Sequence, residues 1–207
     1  MHDERLVIEG GTPVRASFLP FHRPSLGLEE EAEVLDTLRS GWLTTGPKTH
    51  RFEAAFAQHV GAKHALGVTS CTAAMHLGLV ALDVGPGDEV ITSPITFPAT
   101  ANVVVHVGAT PIFADVEPGT LNVDVEQVEA SLTPRTKAIM PVHFAGHPCE
   151  MDALMHVAHR HGLAVIEDCA HTMEATLRGR RVGSWGDVGA FSFYATKNIT
   201  TGEAGCS

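Results

Sequence analysis

Residues 64–114 read HALGVTSCTAAMHLGLVALDVGPGDEVITSPITFPATANVVVHVGATPIFA, and the order of short apolar runs and longer mixed stretches within them decides the fold. HALGVT (64–69), EVIT (89–92) and PIFA (111–114) have the length and apolar density of buried strands. The stretches 72–82 and 97–106 between them fit helices. A strand followed by a helix and another strand predicts parallel pairing, because a parallel neighbour is reached only through a long crossover. The alternation continues outward through strands at 137–141 (KAIMP), 164–167 (AVIE) and 188–192 (VGAFS), with helices at 124–132 and 151–161. The expected architecture is therefore α/β, a mostly parallel sheet with helices on both faces. Such sheets bind ligands at the carboxyl ends of their strands, so the residues that follow each run are the ones to inspect.

Toward the N-terminus, LEEEAEVLDTLR (28–39) sets Leu28, Ala32, Val34, Leu35 and Leu38 near helical spacing, with acids in the first turn where the helix dipole favours them. A second helix is expected over 48–59, with the loop Gly41 to Pro47 between the two. Residues 1–26, punctuated by Gly and Pro, read as an N-terminal extension wrapping a main domain that spans 27–207.

The 44% apolar content of the 207 residues is enough for a real core, and the formal charge of −10 argues against a broad nucleic-acid or anionic-membrane surface, since both require a basic face. Cys71, Cys149, Cys169 and Cys206 show no CxxC spacing, which points to free thiols in a reducing compartment, by default the cytoplasm. MHDERLVIEGG is too charged for a signal peptide, and no apolar run approaches the roughly 18 residues of a membrane span. The glycosylation sequon at Asn198 is read as chance in that setting. The chain stops at GEAGCS (202–207), directly after its most motif-like segment, and reads as truncated.

Three strand ends carry chemistry. After the first strand, Ser70, Cys71, Thr72 and Ala73 lead into a helix, whose free N–H groups and dipole suit a phosphate; an ordinary Ser N-cap gives the same pattern. After the fifth come Glu167, Asp168, Cys169, Ala170 and His171, where an acid and an imidazole three residues on suit a heteroaromatic ring, a metal pair, or an Asp that caps a following helix. After the sixth, Lys197 follows FSFYAT; partial desolvation would free its amine for a Schiff base, whereas a lone lysine more often snorkels to solvent. A phosphate cradle, a ring-binding acid and a nucleophilic amine at one edge of one sheet are the parts of a pyridoxal 5′-phosphate site.

The segments SGWLTTGPKTHRFEAAFAQHVGAKHALGVTSCTAAMHLGL (40–79), GPGDEVITSPITFPATANVVVHVGATPIFADVEP (85–118) and VIEDCAHTMEATLRGRRVGSWGDVGAFSFYATKNITTGEAG (165–205) resemble, in the same order, the DegT/DnrJ/EryC1/StrS sugar aminotransferases. The resemblance runs from about Leu19 to the last residue. It implies the large domain of the fold type I pyridoxal-phosphate transferases, cut before the small C-terminal domain, a homodimer, and ping-pong transfer from an amino acid, L-glutamate, to the keto group of a nucleotide-activated sugar. By position it makes Lys197 the catalytic Schiff-base lysine and Asp168 the partner of the pyridine nitrogen. His171 falls near the ring hydroxyl, Phe97 over the ring face, and Thr72, Ala73 and Ser192 at the phosphate, with the Ser70 hydroxyl as an added donor.

Two departures from the family stand out. Cys71 occupies a usual Gly position in the phosphate turn, which strains the turn only if that φ is positive. The family's C-terminal half is missing, and because its next strand lies antiparallel inside the sheet, a chain ending at Ser207 is expected to leave a gap and to be inactive or poorly folded. The related sugar dehydratases carry His where this chain has Lys197, which sets them aside. A non-catalytic regulator and a plain ligand-binding domain on the same fold remain as alternatives. His156, His159 and His161 read as an exposed polar face rather than a metal site, and no Walker loop, GxSxG elbow or GxGxxG fingerprint is present.

Overall fold

In the computed structural model, which describes residues 5–207, the direction of each crossover decides which face of the sheet its helix covers. The first four residues of the N-terminal extension lie outside the described residues. In chain order the helices are α1 (Leu28–Ser40), α2 (Pro47–Val60), α3 (Cys71–Ala81), α4 (Ala99–His106), α5 (Val125–Ala130) and α6 (Met151–His161). The strands are β1 (Gly67–Val68), β2 (Glu89–Thr92), β3 (Thr110–Phe113), β4 (Thr136–Met140), β5 (Ala164–Cys169), the hairpin pair β6 (Thr176–Leu177) and β7 (Arg180–Arg181), β8 (Val188–Ser192) and β9 (Gly205–Cys206).

The main sheet has the order β1-β9-β8-β5-β4-β2-β3. β9 is antiparallel to both of its neighbours, and the other pairs are parallel. Steps from β1 to β2 to β3 run one way across this order, and steps from β3 to β4 to β5 run back. Right-handed crossovers therefore put α3 and α4 on one face and α5 and α6 on the other.

Side-chain alternation along the strands divides the core accordingly. Val90, Ala138, Met140 and Ile166 pack with Met75 and Leu79 of α3 and Val103 of α4. Ile91, Ile139 and Val165 pack with Val128 of α5 and with Leu154 and Val157 of α6. A third cluster forms where α2 meets the β8 end of the sheet: Phe56 lies edge-on to Phe191 and Phe193, with ring centroids 5.0 and 5.5 Å away.

The sequence-derived strands and helices all occur, with boundaries shifted by a few residues. The expected gap beside β8 does not. Gly205–Cys206 fills it, pairing with Gly67–Val68 on one side and with Phe191–Ser192 on the other. Two residues suffice there because each bonds to a strand on both sides. In the described part of the N-terminal extension, residues 5–26, only Gly11 and Pro20 are less than exposed. Among the described residues no helix is long and apolar enough to cross a membrane.

Candidate active site

Four strand ends converge on one cavity of about 450 Å³, a size suited to a small cofactor. Ser70 and Thr72 follow β1, Phe97 follows β2, Asp168 and His171 come from β5 and its exit, and Ser192 and Lys197 come from β8 and the loop after it; all seven line the cavity. Parallel strands deliver them to one edge, and alternation along β8 separates their duties. Phe191 and Phe193 turn into the aromatic cluster with α2, whereas Ser192 between them faces the cavity.

At the start of α3, Ser70 is the N-cap, its Oγ accepting the Ala73 N–H at 3.1 Å. The capping reading of this turn therefore holds at that atom, and the Ala73 amide is engaged; Ala73 is the sequence-derived site residue that does not line the cavity. The N–H groups of Cys71 and Thr72 have no protein acceptor among the described residues. They remain with the helix dipole as a site for an anion. Cys71 resolves the question of the missing glycine: it takes helical backbone as the first residue of α3 and is not among the positive-φ residues. Its thiol turns inward to the Ala190 carbonyl at 3.3 Å, and burial, reinforced by the Asp168 charge, pushes it well above the ordinary thiol value.

Asp168 is buried at the cavity wall. Its Oδ1 accepts the Ala170 N–H at 3.1 Å and its Oδ2 accepts the Thr100 hydroxyl at 2.8 Å. The Ala170 bond realises the capping reading as a local turn, with no helix following. His171 stands at the exposed lip, where partial desolvation and then the Lys197 ammonium push its imidazole below the ordinary value, against the opposing pull of Asp168. Lys197 is half-buried in a loop that is stitched at its base: Phe193 N–H donates to Ala204 O at 2.9 Å, Thr201 N–H donates to Phe193 O at 3.1 Å, and Lys197 N–H donates to Tyr194 O at 2.9 Å.

The donor set matches a phosphorylated pyridine aldehyde. Free amides and hydroxyls lie at one wall, a buried carboxylate able to accept a ring N–H at another, and an amine within the same cavity. The cavity also takes in Thr100, Tyr194, Thr196 and Glu203, which the sequence reading did not single out. For Thr100 a usable signal existed in the i, i+4 pair Thr96 and Thr100 directly after the β2 run.

One group of potential metal ligands occurs among the described residues, without Asp168 or His171, and its chemistry does not favour an ion. Ligand atoms of His143, Glu167 and Cys169 lie within 4.8 Å of one another. However, both oxygens of Glu167 already accept hydrogen bonds, and burial pushes the Cys169 thiol well above its ordinary value. His156, His159 and His161 are exposed on α6 and do not gather as ligands.

Gly205 of β9 backs the α3 turn so closely that a Cβ there would lie 2.3 Å from Ser70 C and 2.4 Å from Cys71 N. Both are main-chain atoms that cannot rotate away. Gly205→Ala is expected to displace the anion-binding turn, weaken phosphate-ester binding at least tenfold and cost about 2 kcal/mol of stability. Calorimetry should show the melting temperature down by roughly 4–8 °C, and an unchanged melting curve would contradict the close approach.

Comparison with known proteins identifies the family of the chain. The model of the DegT/DnrJ/EryC1/StrS aminotransferase family matches residues 24–206. The chain is 58% identical over 191 residues to spore coat polysaccharide biosynthesis protein SpsC of Bacillus subtilis, covering 92% of this chain and 49% of that protein. An aminotransferase from Psychrobacter cryohalolentis superposes with a TM-score of 0.87 at 44% identity, over 90% of this chain and 48% of that one. The PLP form of Spr1654 from Streptococcus pneumoniae, provisionally assigned as a sugar aminotransferase, gives a TM-score of 0.88 at 38% identity, over 91% and 52% of the two chains. The chain thus spans about half the length of the relatives it matches.

Proposed function

Because the chain belongs to the DegT/DnrJ/EryC1/StrS aminotransferase family, we propose that residues 27–207 form the pyridoxal-phosphate-binding large domain of an enzyme that moves an amino group from L-glutamate to a keto group of a nucleotide-activated sugar. The observation that carries this reading is the convergence of Lys197, Asp168 and the α3 N-terminus on one cavity. It is further supported by the solved relative in PLP and PMP forms. When bound, the cofactor supplies an electron sink for the charge left when an amino acid loses its α-proton, and it carries the amino group between donor and acceptor.

The chain's own residues divide the work. Thr72 and Ser192, with Ser70 and the first amides of α3, hold the phosphate; Ala73 serves this wall by fixing the Ser70 cap. Asp168 would keep a proton on the pyridine nitrogen, His171 would serve the ring hydroxyl, and Phe97 would cover a ring face. Lys197 Nζ would hold the cofactor at its aldehyde, with loss of water, and, when freed by an incoming amine, would be placed to take a substrate's α-proton as general base. A homodimer and a cytoplasmic location complete the reading, the second supported by four free, buried cysteines.

The test is direct. Pyridoxal phosphate added to the purified protein should produce a visible band at roughly 400–430 nm, as the cofactor's chemistry on a lysine dictates. Borohydride should then fix the label on Lys197, as read by peptide mass, and L-glutamate should bleach the unreduced band. Folded protein that neither develops the band nor takes the label would overturn the enzyme reading in favour of a non-catalytic regulator on this fold.

A further inference from the structure

Asp168 holds its orientation through a group that no assignment of the site includes. Thr100, in the first turn of α4, is fully buried. Its Oγ1 makes three contacts: Asp168 Oδ2 at 2.8 Å, Phe97 O at 3.1 Å and Thr96 Oγ1 at 2.6 Å. The Thr100 N–H also donates to Phe97 O, at 3.1 Å.

The hydroxyl has one proton and the competing acceptors are unequal. An ionised carboxylate is a stronger acceptor than a main-chain carbonyl, and its contact is the shorter one. The proton therefore points to Asp168, the Thr100 oxygen is left as an acceptor, and Thr96 must be the donor in the contact between the two threonines. Donation runs in one direction, from Thr96 to Thr100 to Asp168, and each bond polarises the next.

We infer that Thr100, ordered by Thr96, is the positioning residue of this site, clamping the Asp168 carboxylate and the Phe97 backbone to one another so that a bound aromatic ring meets its edge partner and its face partner in register. The consequence for a cofactor rests on the proposed function, but the clamp itself does not. Oδ1 is fixed by Ala170 N–H and Oδ2 by Thr100, so the carboxylate cannot turn about its last torsion without breaking one of them. Valine has the shape of threonine and lacks the hydroxyl, so Thr100→Val removes the Asp168 side of the clamp while keeping the volume and the Thr100 N–H bond to Phe97 O.

The experiment compares wild type, Thr100→Val, Thr100→Ser and Thr96→Val. Crystal structures of the cofactor-free proteins should show the Asp168 carboxylate rotated away from α4 in Thr100→Val, with the Phe97 segment held by the retained Thr100 N–H, and the carboxylate restored in Thr100→Ser. With pyridoxal phosphate added, Thr100→Val should bind roughly tenfold to a hundredfold more weakly. The pH midpoint of its visible band should move, and Thr100→Ser should recover both properties. Thr96→Val, which leaves the buried site intact, should move the same readouts in the same direction but less, and it keeps the test decisive if Thr100→Val does not fold. An unmoved Asp168 with affinity and band within twofold of wild type in a folded Thr100→Val, or in Thr96→Val if only that variant folds, overturns the inference. Failure of wild type to bind the cofactor would sink the functional reading instead, while the carboxylate's orientation would still decide this one.

Discussion

Lys197→Ala is expected to remove the visible cofactor band, leave nothing for borohydride to fix, and slow amino transfer from L-glutamate by on the order of a thousandfold or more. The size of the effect follows from two losses in one atom. Nζ of Lys197 is the nucleophile that would tether the cofactor, and it is also the base that would take the α-proton. Among the described residues no other lysine lines the cavity, so no neighbouring amine can stand in. The fold should be indifferent to the change: the hydrogen bonds that hold the 193–204 loop are made by backbone and hydroxyl groups rather than by the lysine side chain. The variant should therefore melt near wild type and still bind the cofactor non-covalently through Asp168 and the α3 amides. A folded Lys197→Ala protein that turned over at the wild-type rate would show that the amine at this position does no chemistry.

The sequence made some of this legible and hid the rest, for identifiable reasons. The parallel sheet could be read because β2, β4, β5 and β8 are continuous apolar runs, and such runs declare themselves whatever the surroundings. Ser70, Thr72, Asp168, His171 and Lys197 could be named because they lie just beyond strand runs, whose ends gather at one edge of a parallel sheet, whereas Phe97 and Ser192 were named through the family resemblance. β9 was hidden because two residues, Gly205 and Cys206, carry no periodicity; their strand character comes entirely from partners on both sides. The β6–β7 hairpin, in the polar stretch TLRGRR, is invisible for the same reason. Thr100 was absorbed into a helix, since sequence spacing cannot say that the first turn of α4 abuts a carboxylate 68 residues away. α1 shows the converse: its apolar spacing predicted a helix correctly, yet none of its residues is buried. Periodicity reports local conformation and leaves open what covers the apolar face.

Glu167 was the deepest omission, and replacing it should have the largest effect on stability. It adjoins Asp168 on β5, and in sequence it looks like one more acid at a strand end. Its side chain instead points into the protein, fully buried. Oε1 accepts the N–H groups of Trp185 and Gly186 at 2.7 and 2.8 Å, and Oε2 accepts Gly183 N–H at 2.8 Å. The fourth donor is His143 Nε2, 3.1 Å from Oε2. The tautomer is set from the far side, because His143 Nδ1 accepts the Cys149 N–H at 3.0 Å, which leaves the proton of a neutral ring on Nε2. One carboxylate thus ties the turn before β8 to the segment after β4, and Asp168 is held between them, with its own main-chain oxygen accepting the His143 N–H at 3.2 Å.

Glu167→Ala leaves three backbone amides and an imidazole N–H buried without an acceptor and should destabilise the protein by at least about 4 kcal/mol. That is a large share of the roughly 5–15 kcal/mol that holds a domain folded. Glu167→Gln should rescue little despite its shape. Each oxygen of Glu167 faces two donors, so whichever way the amide turns its NH2 meets N–H groups, and the His143 ring cannot switch tautomer without losing its bond from Cys149. Urea unfolding of the two variants checks this. Midpoints close to wild type for Glu167→Gln would mean that the negative charge is dispensable, whereas equal losses in both variants would establish that the turn before β8, and with it the setting of Asp168, depends on an ionised acceptor at this position.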